Sequence, residues 1–106
     1  MTIYSLGVNH RSASLHIREK VIFAPKNMTK ALQNLIKTLD ISEAAILSTC
    51  NRIEIYIVTS DDFTKSKNKI IDWLTGYHQL MSTSIEGCYY TYYNEDRVRH
   101  LKRIVM

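Results

Sequence analysis

The hydrophobic period changes repeatedly along the chain, from two residues to about 3.6 and back, and this alternation constrains the fold more than any other feature. Residues 3–9 alternate with period two, and both sets of side chains are apolar enough for a central strand. A short helix is expected at 15–23. A longer helix follows, and its apolar positions share one face: Leu32, Leu35, Ile36 and Leu39.

The second half of the chain repeats this alternation. Strands are expected at 44–49 and 53–58, and we expect them to be antiparallel neighbours because very few residues join them. The acidic sequence at 60–62 is typical of a helix start, the tyrosine-rich residues 88–93 favour a strand, and a last helix is expected from 94–96 onward. The order β-α-β-β-α-β, with an extra short helix and a C-terminal helix, predicts an α+β ferredoxin-like sandwich.

Composition limits the class of protein. The chain has 106 residues, which fits one domain, and its 45% hydrophobic and 23% charged residues are typical of a globular protein. Its apolar runs are too short for a membrane span, and its start lacks the pattern of a secretory signal. We therefore expect a cytoplasmic protein with no membrane partner. The net charge of +4 is compatible with a nucleic-acid partner and equally with a solvated basic surface.

The segment Ser-Thr-Cys-Asn-Arg at 48–52 carries the most chemistry. It places a thiol, Cys50, in the turn between two expected strands, beside hydroxyl, amide and guanidinium groups. A nearby cation or turn N–H groups favour the thiolate, which is the nucleophilic form. Arg52 is also suited to hold a carboxylate with its two-pronged guanidinium. A buried structural cysteine and a thiol redox sensor are the alternatives for Cys50.

The remaining cysteine and the histidines point less clearly to chemistry. Cys88 is remote from Cys50 in sequence, and we expect it to pack in the core rather than to act as a resolving thiol. No zinc-like spacing links the histidines to a cysteine, so no metal site is expected. The histidines are His10, His16, His78 and His100.

A non-catalytic RNA-binding module is the competing class of function. The tyrosines within 88–93 would stack on bases, and the basic residues at 97–103 would contact phosphates. Successive strand residues point to opposite faces, however, so Tyr89 and Tyr90 do not share a surface, nor do Tyr92 and Tyr93. Half-buried tyrosines that hydrogen-bond at their tips are the simpler interpretation.

Four stretches of the chain, taken together, resemble the glutamyl-tRNA reductase family. They lie at 7–13 (Gly-Val-Asn-His-Arg-Ser-Ala), 17–20 (Ile-Arg-Glu-Lys), 47–56 (Leu-Ser-Thr-Cys-Asn-Arg-Ile-Glu-Ile-Tyr) and 98–105 (Val-Arg-His-Leu-Lys-Arg-Ile-Val). The resemblance covers nearly the whole chain, in order and spacing, and the block around Cys50 is specific to that family. The family usually has Thr and Pro where this chain has Ser12 and Ser14.

The resemblance implies an enzyme of tetrapyrrole (porphyrin and heme) biosynthesis with a thioester mechanism. The cysteine thiolate would attack the ester of glutamyl-tRNA and release the tRNA. NADPH would then reduce the glutamyl thioester to glutamate-1-semialdehyde, and the thioester makes this easier because it is more electrophilic than an oxygen ester.

The resemblance also implies a role for particular residues. Cys50 matches the nucleophile, and His100 matches a histidine that the family needs for activity. Thr49, Asn51 and Arg52 match, with Cys50, the substrate-binding block, in which Arg52 would hold a carboxylate. Three further residues would shape the pocket: His10, Ser12 and Glu54.

The resemblance finally implies that residues 1–106 are one domain of a longer enzyme. They would form the N-terminal catalytic domain, which binds glutamyl-tRNA, and the helical pattern at 97–106 runs to the last residue as expected of a fragment. The family's NADPH-binding domain and the domain that makes it a homodimer would lie outside this sequence. A glycine-rich dinucleotide motif does not occur in the sequence.

Overall fold

The computed structural model describes residues 2–49 and 51–94. Within these ranges, strands and helices alternate much as the hydrophobic periods predict. Short 3₁₀ turns lie at Pro25–Asn27 and Ser82–Ile85. The strands and α-helices are β1 (Thr2–Asn9), α1 (Leu15–Val21), α2 (Met28–Leu39), β2 (Ala44–Ser48), β3 (Arg52–Thr59), α3 (Phe63–Tyr77) and β4 (Tyr90–Asn94).

The strands form one four-stranded sheet in the order β2-β3-β1-β4. Every neighbouring pair is antiparallel, including β2 and β3, as the short turn between them predicts. With α2 and α3 in the crossovers, this is the ferredoxin-like arrangement, and the predicted fold class is confirmed. The first strand is central, and its inner six residues are all buried.

The two faces of the sheet bury different sets of side chains. The helix-covered face holds the main core, in which alternate residues of β1 and β3 pack against the helices. A smaller buried cluster on the opposite face contains Ile3, Ala45, Tyr56 and Val58. The face that carries this second cluster also carries the candidate site, and we call it the open face.

Side-chain caps fix where two of the helices begin. The Ser14 hydroxyl accepts a hydrogen bond from the Ile17 N–H, and the Asp62 carboxylate accepts one from the Lys65 N–H. Each cap satisfies a backbone donor that the first turn leaves unpaired. The acidic segment at 60–62 therefore starts α3 as predicted.

Several predicted boundaries were wrong by one or two residues, and hydrogen bonds explain two of them. The helix α1 stops at Val21, and not at residue 23, because the Phe23 N–H donates to Ser48 Oγ at 3.1 Å. The last strand begins at Tyr90, and not at Cys88, because the Cys88 N–H bonds to a 3₁₀ turn. The predicted helix from 94–96 onward lies outside the described residues.

No helix in the described ranges is long and apolar enough to cross a membrane.

Candidate active site

Two turns meet at one end of the sheet. Asn9 ends β1 and Arg52 begins β3, and the two residues are partners in the antiparallel ladder. The turn that follows Asn9 and the turn that precedes Arg52 must therefore lie side by side. This juxtaposition brings residues 9–12 of the block 7–13 to the same place as residues 49, 51 and 52 of the block 47–56.

The first turn is held by its own side chains. The Asn9 Oδ1 atom accepts hydrogen bonds from the N–H groups of Arg11 at 2.9 Å and Ser12 at 3.0 Å. The Ser12 hydroxyl in return accepts a bond from the Asn9 N–H at 2.9 Å. This Asx-turn fixes the direction in which Arg11 and Ser12 leave the strand.

The second turn is organised by Thr49. Its Oγ1 atom accepts hydrogen bonds from the N–H groups of Asn51 and Arg52, both at 3.2 Å. Its own N–H donates to the Arg52 carbonyl at 2.9 Å and closes the turn. The side chain of Thr49 thus sets the backbone on both sides of position 50, while Cys50 itself lies outside the described residues.

A cavity of about 520 Å³ opens on the open face beside these turns. Its described lining combines two guanidinium groups, one carboxylate, small polar side chains and phenol rings. The lining residues are Asn9, Arg11, Ser12, Arg52, Glu54, Tyr56, Tyr90 and Tyr92. Such a mixture of opposite charges suits a polar ligand that carries an anionic group.

The Glu54 carboxylate is held from two sides. The Tyr56 hydroxyl donates to its Oε1 atom at 2.6 Å, and the Tyr90 hydroxyl donates to its Oε2 atom at 2.5 Å. Both distances are short, as expected when the acceptor is ionised. The two phenols together fix the orientation of the carboxylate in the cavity.

Gly7 allows the Tyr90 side chain to reach Glu54. In the sheet register Gly7 of β1 lies between Glu54 of β3 and Tyr90 of β4. A Cβ atom on Gly7 would lie 2.4 Å from the Cζ atom of Tyr90. The phenol ring therefore lies directly over the glycine, and any larger side chain there would displace it.

The surroundings of the Tyr90 phenol shift its pKa. Burial, the hydrogen bond to Glu54 and the negative charge of Glu54 raise the pKa of the Tyr90 phenol well above its usual range. The positive charge of Arg52 and a hydrogen bond from the Asn9 side chain act in the opposite direction. Tyr90 is therefore a neutral hydrogen-bond donor at physiological pH.

The residues predicted for the site fall into three groups. Ser12, Arg52 and Glu54 line the cavity. Thr49 and Asn51 are exposed in the adjoining turn, and His10 is exposed between two cavity residues without being among the described residues of the lining. The two remaining predicted residues, Cys50 and His100, lie outside the described residues.

Sequence reasoning missed the partners of Glu54. Tyr56 and Tyr90 were not predicted as site residues, and Gly7 was noted only within the family block. A signal for Tyr56 was present, because residues 52, 54 and 56 of a strand share a face. For Tyr90 the predicted half-buried ring with a hydrogen-bonded tip is confirmed, but no local signal indicated its partner, which is 36 residues away.

The tyrosine-rich strand divides its side chains between the two faces. Tyr93 contacts the rings of Tyr4 and Phe63 on the helix side, and its hydroxyl donates to the Asp61 carbonyl at 2.8 Å. Tyr90 and Tyr92 lie together on the open face, with ring centres 6.2 Å apart. This division does not favour a continuous base-stacking surface.

Cys88 and the histidines were the remaining candidates for chemistry. Cys88 is a free thiol that is partly buried against the main core, as predicted. Within the described ranges, no group of histidine, cysteine and carboxylate side chains is arranged to hold a metal ion.

Comparison with known proteins gives one consistent family. The family model described as "Glutamyl-tRNAGlu reductase, N-terminal domain" matches residues 6–106. Glutamyl-tRNA reductase of Marinobacter nauticus is 42% identical over 104 residues, and that of Pseudomonas aeruginosa is 42% identical over 108 residues. Each alignment covers 98% of this chain and 24% of the relative, so the chain spans about a quarter of these proteins.

A solved structure agrees in fold. Glutamyl-tRNA reductase from Methanopyrus kandleri superimposes with a TM-score of 0.57 at 21% sequence identity. The match covers 95% of this chain and 21% of that one.

Proposed function

The chain belongs to the glutamyl-tRNA reductase N-terminal domain family, and from this membership we propose that it is the domain that attacks glutamyl-tRNA. The observation that carries the proposal is the position of Thr49 and Arg52, which are close neighbours of Cys50 in the sequence. Thr49 accepts a hydrogen bond from the Arg52 N–H, and Arg52 lines a cavity in which it and Glu54 present opposite charges. A glutamyl ester has a side-chain carboxylate, and its binding site needs a cationic group for that carboxylate close to the nucleophile.

The proposed reaction is acyl transfer to Cys50. The thiolate sulfur attacks the ester carbonyl carbon, a C–S bond forms, and the bond from that carbon to the ribose oxygen breaks. The ribose oxygen takes up a proton and the tRNA leaves with a free hydroxyl. His100 is proposed to assist, either as the acid or by positioning the ester.

The other residues of the block are proposed to bind the substrate. Arg52 holds the side-chain carboxylate of the glutamyl group, since a guanidinium bonds a carboxylate through two parallel N–H groups. Thr49 and Asn51 hold the turn and contact the substrate near Cys50. His10, Ser12 and Glu54 shape the pocket around it.

The residues of this chain do not fit an NADPH site. The sequence has three glycines, at positions 7, 76 and 87, and their wide spacing excludes a G-x-G-x-x-G motif. We therefore propose that residues 1–106 act as the N-terminal catalytic domain of a longer enzyme. The reductant and the contacts that make a homodimer would be supplied by other parts of that enzyme. A reducing cytoplasm is the compartment that would keep Cys50 as a thiol.

The proposal is tested by the rate at which the chain cleaves glutamyl-tRNA and glutaminyl-tRNA. We expect the wild type to cleave the glutamyl ester faster, Cys50→Ser to be no faster than buffer, and Arg52→Lys to lose the preference between the two esters. A wild type no faster than buffer would contradict the proposed function. Unchanged discrimination in Arg52→Lys would remove the carboxylate role of Arg52 alone.

A further inference from the structure

Arg52 and Glu54 are placed where an ion pair would be expected. They are two residues apart on β3, so their side chains leave the same face of the strand, and both line the cavity. Yet within the described ranges, Arg52 takes part in no salt bridge; the ion pair found there joins Lys69 to Asp61. Arg52 is instead an exposed residue that lines the cavity.

The two phenols explain why this pair does not form. Each oxygen of Glu54 already accepts a short hydrogen bond, from Tyr56 on one side and from Tyr90 on the other. Each oxygen can still accept a second hydrogen bond, so the phenols act by fixing the orientation of the carboxylate and not by filling its acceptor sites. If the carboxylate turned toward Arg52, the geometry of one or both phenol bonds would be distorted.

Tyr90 is the more informative of the two phenols. Tyr56 is adjacent to Glu54 on the same strand face, whereas Tyr90 belongs to another strand and crosses β1 over Gly7 to reach the same carboxylate. The hydrogen bond to the Oε2 atom therefore forms only when the sheet is assembled and position 7 lacks a side chain.

We propose that Tyr90 is a positioning residue that keeps Glu54 away from Arg52, so that the Arg52 guanidinium stays available for the carboxylate of the substrate. The proposal rests on the proposed function for the identity of that carboxylate. Its structural part, the competition between Tyr90 and Arg52 for Glu54, is independent of it. Without the Tyr90 hydroxyl, Oε2 of Glu54 turns to Arg52 and an internal ion pair competes with the substrate.

The structural part is tested by labelling Arg52 with phenylglyoxal, a reagent for free guanidinium groups, and by mass spectrometry of the labelled peptide. We expect Tyr90→Phe to label Arg52 about two- to fivefold more slowly than the wild type, which is the range that an exposed ion pair allows. The double variant Tyr90→Phe/Glu54→Gln removes the competing charge and should restore the wild-type rate.

Tyr93→Phe is the matched control. It makes the same substitution in the same strand and also removes one hydrogen bond, but that bond is to the Asp61 carbonyl on the other face. We expect its labelling rate to equal that of the wild type. Equal rates for Tyr90→Phe and the wild type would overturn the proposal, as would slow labelling that Glu54→Gln does not restore.

The functional part is tested by the kinetics of glutamyl-tRNA cleavage. In single-turnover acylation of Cys50, we expect Tyr90→Phe to raise the half-saturating concentration about two- to fivefold and to leave the limiting rate nearly unchanged, because a free Arg52 is needed for binding. A fall in the limiting rate at an unchanged half-saturating concentration would contradict this role. If the wild type cleaves no ester, the proposed function fails, while the labelling experiment still decides whether Tyr90 holds Glu54 away from Arg52.

Discussion

The Tyr90 hydroxyl lies 2.5 Å from Oε2 of Glu54, although a whole strand separates the two residues in the sheet. Neighbouring strands are about 4.8 Å apart, so the two side chains together span about 10 Å of sheet. This contact joins β3 to β4 across β1 and places a fixed carboxylate in the cavity beside the turn that Thr49 holds.

Gly7→Ala should destabilise the protein through its collision with the Tyr90 ring. We expect a loss of about 1–3 kcal/mol in the free energy of unfolding, as in other overpacked sites. In a Tyr90→Ala background the collision is absent, and the cost should fall by at least about 1 kcal/mol. Denaturant unfolding of the four proteins of this cycle measures both values.

Gly76→Ala is the control for that cycle. Gly76 lies in α3, and a Cβ atom there would meet nothing within 4 Å. Because alanine favours a helix more than glycine does, we expect a neutral effect or a gain of up to about 1 kcal/mol. Equal costs for Gly7→Ala with and without the Tyr90 ring would show that the ring does not lie over the glycine.

The Tyr90 phenol should resist ionisation, and Glu54 should be part of the reason. The pKa of Tyr90 is higher in the folded protein than in the unfolded chain, where it is about 10. The stability that this group contributes is therefore fully present below about pH 10 and is lost as the pH rises above that value. In Glu54→Gln the negative charge is gone, so the pKa of Tyr90 should fall toward its usual value. The ¹³Cζ shift of Tyr90 against pH measures this, and an unchanged midpoint in Glu54→Gln would contradict the contact.

Thr49→Val should loosen the turn around position 50. Valine keeps the shape but removes the oxygen that accepts from the N–H groups of Asn51 and Arg52, and we expect a loss of about 1 kcal/mol in unfolding free energy. Thr49→Ser keeps that oxygen and serves as the control. We also expect slower acylation of Cys50 in Thr49→Val than in Thr49→Ser, and equal rates would remove the positioning role of the hydroxyl.

His78 should make the protein less stable in mild acid. Burial lowers its pKa, against the effect of a hydrogen bond to the Val21 backbone, and its ring packs 4.6 Å from the ring of Phe23. Below pH 6.5 the unfolded chain therefore binds a proton at His78 that the folded protein does not bind. The free energy of unfolding falls as the pH drops from 6.5 to the lower pKa of His78 in the folded protein.

Replacement of His78 tests that prediction. The free energy of unfolding should fall less in acid for His78→Leu than for the wild type. The difference is the contribution of His78, which is at most about 1.4 kcal/mol per pH unit. Unfolding free energies measured between pH 7 and pH 5 give the comparison. The same dependence in His78→Leu and in the wild type would show that His78 does not cause it.

The sheet and its helices follow from local patterns. The alternation of Tyr4, Leu6 and Val8 with a second apolar set marked β1 as central, and it is buried on both faces. The caps at Ser14 and Asp62 and the short turn between β2 and β3 are likewise encoded within a few residues. These features need no knowledge of distant parts of the chain.

The candidate site could not be predicted in full, because it depends on contacts between residues that are far apart in the sequence. The block around Cys50 was visible, but the cavity wall needs Tyr90 to meet a carboxylate 36 residues away. The end of α1 was misplaced for the same reason, since Ser48 binds the Phe23 backbone from 25 residues away. In both cases a tertiary hydrogen bond overrides the local preference.

Intact-protein mass spectrometry after mixing the chain with glutamyl-tRNA, without a reductant, shows whether Cys50 is acylated. We expect a glutamyl adduct that hydroxylamine removes, present on the wild type and on Cys88→Ser and absent from Cys50→Ser. An adduct that persists on Cys50→Ser, or no adduct on the wild type while its fold is intact, would contradict the assignment of Cys50 as the acylated nucleophile of this domain.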